Sequence, residues 1–172
     1  MSVRILSAGR GEGKTAYLQR YLEQATAAGR SIGGVTSPAI FEGDTRVGYD
    51  VVDLRSGRRR LLARRRGMLE SDTVVGDYHF DDLALAWGSA AIIAAVREGL
   101  DVVAVDEVGP LEFRGGGWAA ALTAALLEAT IEQELVLTVR PSLAEDLPQR
   151  FPSGQWASAT RVTTPWPSLS PT

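Results

Sequence analysis

Ser7-Ala8-Gly9-Arg10-Gly11-Glu12-Gly13-Lys14-Thr15 lies between an apolar run, Val3-Arg4-Ile5-Leu6, and a stretch of helical spacing from Ala16 to Ala28. Strand, glycine-rich loop, Lys-Thr and helix, in that order, is the context a phosphate-binding loop requires. Glycines let consecutive backbone N–H groups turn inward around a phosphate with no Cβ in the way. The helix that begins there adds free N–H groups and the positive end of its dipole. In such a loop Lys14 reaches the β- and γ-phosphate oxygens, and the Thr15 hydroxyl takes a coordination position on Mg²⁺. The full set expected around a nucleotide is Ala8, Gly9, Arg10, Gly11, Glu12, Gly13, Lys14, Thr15 and Ala16. The pattern G-x-x-x-x-G-K-[ST] puts Gly first, and Ala8 holds that place here as a tolerated variant.

Lys14 is the only lysine in the chain; the other seventeen of its eighteen basic residues are arginine. A compact ammonium on a flexible stem has been kept at the one place where a planar guanidinium does not substitute for it. That use of lysine weighs against a plain Gly-rich turn joining strand to helix.

The remaining sequence sets bounds. A length of 172 residues suits one domain with a sizeable core, expected over residues 1–163, with a proline-rich tail at 164–172. Hydrophobic content of 45% and charged content of 23% are those of a soluble globular protein. With no cysteine, disulfides, thiolate metal sites and Cys nucleophiles are excluded. Met1-Ser2-Val3-Arg4 leads straight into the first strand, so no signal peptide is expected; no apolar run approaches the roughly 20 residues of a membrane span, and the cytoplasm is the default location. The net charge of −3 argues against a general nucleic-acid binder. Arg58-Arg59-Arg60 with Arg64-Arg65-Arg66 is read as a solvated hairpin face in preference to a patch for an anionic partner.

Along the chain, Ile32 to Thr36 is a short strand, and Phe41-Glu42-Gly43-Asp44 is turn-like. Residues 46–54 alternate apolar and polar, and with Arg58 to Ala63 they form an antiparallel hairpin. Thr73 to Phe80 is another short strand or an ordered loop. Asp81 or Asp82 caps a helix that Gly88-Ser89 interrupts and Gly99 stops. Leu100 to Val105 and Leu135 to Val139 suit central parallel strands buried on both faces, with an Ala/Leu-rich helix from about Trp118 to Gln133 between them. Ser142-Leu143-Ala144-Glu145 resembles a capping box opening a short helix. A last strand near Ser158 to Val162 precedes a tail from Thr163 with three prolines, expected to lie loosely. The sum is an α/β fold of the P-loop, three-layer kind, with a mostly parallel central sheet and an inserted antiparallel hairpin.

The second half of the site is Val102-Val103-Ala104-Val105-Asp106-Glu107. A phosphate-loop protein needs a carboxylate at the carboxyl end of a neighbouring strand to hold Mg²⁺, and Asp106 sits there. Glu107 fits the acid that orients and deprotonates an attacking water. Strand ends at the carboxyl edge of an open α/β sheet converge on one crevice, so the two stretches can meet. Solvated acids capping a strand would be the bland reading, and the joint occurrence with the loop makes it the weaker one.

These segments, with Gly33-Gly34-Val35-Thr36, Arg46 to Leu54, Val75-Gly76-Asp77-Tyr78 and the run Asp106-Glu107-Val108-Gly109-Pro110-Leu111-Glu112, resemble in order and spacing the small nucleoside-triphosphatase family found from hyperthermophiles to animals. The resemblance covers about residues 3–140 and is most specific in the acidic segment. It implies Mg²⁺-dependent hydrolysis of the β–γ bond of ATP, GTP and other nucleoside triphosphates, with little base preference. It carries over Lys14, Thr15, Asp106 and Glu107 as site residues. After Arg140 the pattern fades, and the proline-rich tail stands where a C-terminal helix would be expected.

Charge on a transferred phosphoryl group usually calls for an arginine. Arg140, at the end of a central strand, is the first choice; Arg10 and Arg114 are the others. Lone His79 is read as structural, Trp118 and Trp87 as core, and Tyr78, Phe113 and Trp156 as open candidates for stacking on a base. Two rivals to the hydrolase stand: a P-loop small-molecule kinase, and a nucleotide-dependent switch that signals to a protein partner not identified by sequence.

Overall fold

Five strands run parallel at the centre of a computed structural model that describes residues 1–169. In chain order they are β1 (Ser2–Ser7), β2 (Ile32–Thr36), β8 (Val102–Val108), β9 (Glu134–Val139) and β10 (Ala159–Thr163). Between β2 and β8 come β3 (Ala39–Glu42), β4 (Thr45–Asp53), β5 (Arg59–Arg65), β6 (Val74–Val75) and β7 (Tyr78–Phe80), all antiparallel to their neighbours. The sheet order is β10-β1-β9-β8-β2-β4-β5-β7-β6, with β3 on β4. Strands β8 and β9 are buried at almost every position because helices cover both faces there.

Helix α1 (Lys14–Ala27) covers one face, burying Tyr17, Leu18, Leu22 and Ala25 against Leu6, Val102, Ala104 and Val136. Helices α2 (Asp82–Arg97) and α4 (Ala119–Glu128) cover the other, packing Ile92, Leu122 and Trp118 with Val35, Val103 and Leu135. Short helices α3 (Pro110–Phe113), α5 (Pro141–Ala144) and α6 (Leu147–Arg150) fill the connections. The layers are therefore helix, sheet, helix. Among the described residues no helix is long and apolar enough to cross a membrane.

Several local expectations are corrected. The inserted hairpin is larger than β4 and β5, since residues 39–42 pair with β4 around Gly43-Asp44 and residues 74–80 form a second small hairpin. Gly88 does not interrupt α2: a Cβ there would lie 2.6 Å from the Trp118 ring, so the glycine makes room for a buried indole within a continuous helix. Helix α4 is shorter than its Ala/Leu composition suggests, ending at Glu128. No capping box opens the helix near 142; α5 starts one residue earlier at Pro141, whose fixed φ suits a first helical position, with Arg140 as N-cap. The tail is not loose over its described part, because Trp166 stacks on Tyr17 and Leu169 O accepts a hydrogen bond from Gln24 at 3.0 Å; residues 170–172 lie outside the described residues. The arginine run follows expectation at Arg58, Arg59, Arg60, Arg65 and Arg66, exposed along β5 and its turns, whereas Arg64 is half-buried.

Candidate active site

The loop between β1 and α1 closes on itself through two charged side chains. Lys14, the first residue of α1, is 4% exposed, and its ammonium donates to Ala8 O at 3.2 Å and Gly9 O at 3.1 Å. The Glu12 carboxylate accepts from Gly9 N–H at 2.7 Å. Gly11 and Gly13 have φ of 80° and 78°, a region that costs a residue with a Cβ strain and glycine none. Gly13 is the N-cap of α1, and its carbonyl accepts from Tyr17 N–H at 2.8 Å. Ala8 is buried and stays out of the left-handed region, so its methyl group is accommodated without strain. Thr15 follows as the second residue of the helix and is half-buried.

Two strands away, the carboxyl end of β8 is not a regular ladder. Val105 pairs with Leu137 and Val108 with Val139, so Asp106 and Glu107 together stand opposite the single residue Thr138. This is a β-bulge, a device that re-aims side chains at a strand end. Its consequence is visible at Glu107, whose φ of 61° is positive for a residue with a full side chain.

One hydroxyl organises the bulge. Thr138 Oγ1 donates to Asp106 Oδ1 at 2.5 Å and accepts from Glu107 N–H at 2.7 Å. Asp106 Oδ1 also lies 3.1 Å from Glu107 N, and Oδ2 accepts from Ser37 N–H at 2.9 Å, just past β2. Asp106 is fully buried, its carboxylate held by donors from β2 and β9. Glu107 is directed elsewhere. Burial, and then the neighbouring Asp106 charge, push its carboxyl above the ordinary glutamate range, against the pull of Lys14, Arg140 and Arg46. Those three cations therefore share the electrostatic environment of Glu107, which brings loop, β8 and the end of β9 into one site.

Beyond Glu107 opens a cavity of about 240 Å³, with Arg10, Arg140 and Asp77 at polar positions of its wall and Tyr49, Tyr78 and Phe80 among the apolar ones. Glu112 holds its far side. It is 3% exposed, accepts from Gly109 N–H at 2.7 Å and Trp118 N–H at 3.0 Å, and burial pushes its carboxyl up to about 7 against the pull of those two donors. The Gly-Pro-Leu-Glu run after the acidic pair is thus a structural clamp on the segment that follows Glu107.

The sequence candidates divide accordingly. Arg140 and Arg10 line the cavity with Glu107, whereas Arg114 is exposed and donates to Val74 O at 3.2 Å. Tyr78 lies in the cavity wall, edge-on to Tyr49 with ring centroids 5.3 Å apart. Phe113 packs edge-on against Phe151, and Trp156 donates to Phe151 O at 2.7 Å, so both belong to the core beneath α6. His79 pairs its Nδ1 with Ser71 O at 2.9 Å, and Trp118 is 2% exposed; both are structural. Trp87 packs on the core surface under Arg60.

Three participants were not singled out from sequence. Thr138 is a lone polar residue in an otherwise apolar strand end, which is a readable signal. Ser37 acts through its backbone, which sequence does not display. Arg46, on β4, reaches Glu107 only because the insertion folds beside β2.

Among the described residues no three acidic or histidine side chains converge as a metal cage. The Asp106 carboxylate and the Thr15 hydroxyl are oxygen donors of the kind Mg²⁺ takes, one or two from the protein together with substrate phosphates.

A family model described as NTPase matches residues 4–164. The nucleoside-triphosphatase THEP1 of Methanopyrus kandleri is 36% identical over 121 residues, covering 70% of this chain and 65% of the relative. That of Pyrococcus abyssi is 32% identical over 138 residues, covering 76% of this chain and 74% of the relative. The chain thus spans just under two thirds of the first relative's length and about three quarters of the second's. Two solved structures share the fold: THEP1 of Aquifex aeolicus, with a TM-score of 0.69 at 17% identity over 94% of this chain and 88% of that one, and a human cancer-related nucleoside triphosphatase, with a TM-score of 0.67 at 22% identity over 95% and 90%. The family match runs through the loop, the bulged strand end and β9 alike, and the chain belongs to the NTPase family.

Proposed function

We propose that this protein is a nucleoside-triphosphate phosphohydrolase that cleaves the β–γ bond of ATP, GTP and other nucleoside triphosphates with Mg²⁺. The observation that carries the proposal is the β8 bulge, which holds Asp106 buried and pinned while turning Glu107 toward the cationic cavity beside the loop. Lys14 and the loop amides bind the β- and γ-phosphates, for which Lys14 exchanges its bonds to Ala8 O and Gly9 O. Thr15 and Asp106 are the residues that would hold Mg²⁺, which when bound would neutralise charge on the phosphates. Glu107 orients a water and accepts its proton as the water oxygen attacks the γ-phosphorus and the β–γ bridging bond breaks. Its raised proton affinity suits a base, and Lys14, Arg140 and Arg46 keep the ionised form accessible. Arg140 and Arg10, both in the cavity wall, face the charge that develops on the phosphoryl oxygens.

The test is phosphate release from the purified protein with Mg²⁺ and each of ATP, GTP, CTP and UTP, beside Glu107→Gln. The expected result is release from several nucleotides, cut about 10²–10⁴-fold by the substitution while nucleotide binding persists. Binding without release from any of the four would overturn the hydrolase.

One observation favours a second reading, phosphoryl transfer to a small hydroxyl compound. The cavity of about 240 Å³ beside Glu107 is several times the roughly 30 Å³ share of one water. The arginine run supplies no lid for such a kinase, since residues 59–65 are a strand of the sheet. Equal yields of nucleoside diphosphate and phosphate from the protein alone support the hydrolase over the transferase.

A further inference from the structure

The segment after β10 folds back onto the phosphate loop. Trp166 lies face to face on Tyr17, with centroids 4.5 Å apart and planes 16° from parallel. Its indole N–H donates to Glu12 O at 2.8 Å, and a Cβ on Gly13 would lie 3.7 Å from that nitrogen. The ring is therefore fastened by one hydrogen bond to the loop at Glu12 and by one stacked face to Tyr17 of α1, and it lies beside Gly13, immediately before Lys14. It is also only partly covered, leaving aromatic surface open to solvent.

Its side of the loop is informative. In the order β10-β1-β9-β8, the strand that delivers Trp166 and the strand that delivers Asp106 and Glu107 flank β1 from opposite directions. On the reading above, the terminal phosphates lie between Lys14 and the acidic pair. The side of the loop away from that pair, left for the nucleoside, is the β10 side.

We propose that Trp166 is the platform on which the base of the bound nucleotide stacks. The ligand it takes is a nucleobase, presented by its π-face. Stacking of this kind is tolerant of base identity because every base has such a face. A flat indole with its one N–H already committed to Glu12 O has no hydrogen bond left for reading base edges. The proposal rests on the nucleotide-binding reading and adds to it the residue that receives the base; Tyr17, 3% exposed, is the backing against which the indole is held flat.

The test separates base from phosphates. Isothermal titration with Mg²⁺ is carried out on wild type, Trp166→Ala and Trp166→Phe, using β,γ-imido-ATP and, separately, tripolyphosphate. Trp166→Ala is expected to weaken β,γ-imido-ATP about 5- to 150-fold, the range for losing one base–aromatic stack, and to leave tripolyphosphate within about twofold. Trp166→Phe recovers part of the nucleotide affinity. Equal weakening of both ligands would mean that the indole only braces the loop, and an unaltered nucleotide affinity would mean that the base lies elsewhere; either overturns the platform. Wild type binding neither ligand would overturn the nucleotide reading itself, and the platform with it.

Discussion

At the scale of the residue, Thr138 does more than its place in a buried strand suggests. Its hydroxyl donates to Asp106 and accepts from the Glu107 amide, so one oxygen sets the position of both acids. Thr138→Val keeps the shape and removes both bonds, leaving the Glu107 N–H with Asp106 alone and releasing the left-handed turn that aims Glu107. Loss of one such bond to a charged group is worth about 1.5–3 kcal/mol, hence a fall in kcat of about 10- to 150-fold with KM for ATP little changed. Steady-state phosphate release measures it, and an unaltered kcat would show that the bulge holds without the hydroxyl. The same scale explains Ala8: within the loop the positive φ that calls for glycine falls on Gly11 and Gly13 and not on residue 8.

At the scale of the element, α2 shows why a residue pattern misleads when packing is invisible. A glycine within a helical stretch reads as a break, because it weakens an isolated helix by about 1 kcal/mol relative to alanine. Here the missing side chain is filled by Trp118 from the connection to α4, with two ring carbons 2.6 Å from where a Cβ would be. Gly88→Ala, which would help a lone helix, is expected to destabilise the protein by about 1–3 kcal/mol, as overpacked cores do. Chemical denaturation with tryptophan fluorescence checks it; a stabilised variant would mean that the indole moves aside easily. The insertion is a second case. Its long strand β4 was legible as an alternating run and β3 was not, and that the insertion extends the central sheet, bringing Tyr78 to the cavity and Arg46 near Glu107, depends on β2 pairing with β4.

At the scale of the molecule, buried carboxylates with opposed shifts shape stability against pH. Burial alone would raise Glu134, but hydrogen bonds from Tyr21, Arg30 and Arg4 outweigh it and hold its carboxyl below the ordinary range. A depressed group contributes stability that is lost as pH falls through its folded value, below the usual glutamate range. Glu112 works in the other sense. Raised to about 7 from 4.5, it contributes fully below 4.5 and loses that contribution as pH climbs through about 7. Glu107 is shifted in the same direction as Glu112. The melting temperature is therefore expected to peak on the acid side of neutrality, at about pH 5, and to decline toward pH 8. Glu112→Gln should flatten the decline between pH 5 and 8, and Glu134→Gln the fall below pH 4.5. Calorimetric scans across pH 3.5–8.5 check both, and a decline toward pH 8 that persists unchanged in Glu112→Gln would remove Glu112 as its cause.

Features that are local or periodic are written in the order of residues. The glycine-rich run ending in the lone lysine, the apolar strands with acids at their end and the alternation of strand and helix specify a phosphate-loop α/β fold. They also name Lys14, Thr15, Asp106 and Glu107, because backbone conformation and burial pattern are written in neighbouring residues. Tertiary structure alone decided what depends on distant segments meeting. It placed Thr138 and Ser37 on Asp106, brought Arg46 from the insertion toward Glu107, and kept Arg140 and Arg10 at the cavity while leaving Arg114 outside. It also set Trp166 on Tyr17 in a tail whose prolines suggested no contact at all. A strand order of β10-β1-β9-β8 juxtaposes residues some 30 to 150 positions apart in the chain, as the separations of 32 for Thr138–Asp106 and 154 for Trp166–Glu12 show. No propensity or period of a single segment encodes such pairings, since their energy exists only once the sheet has assembled.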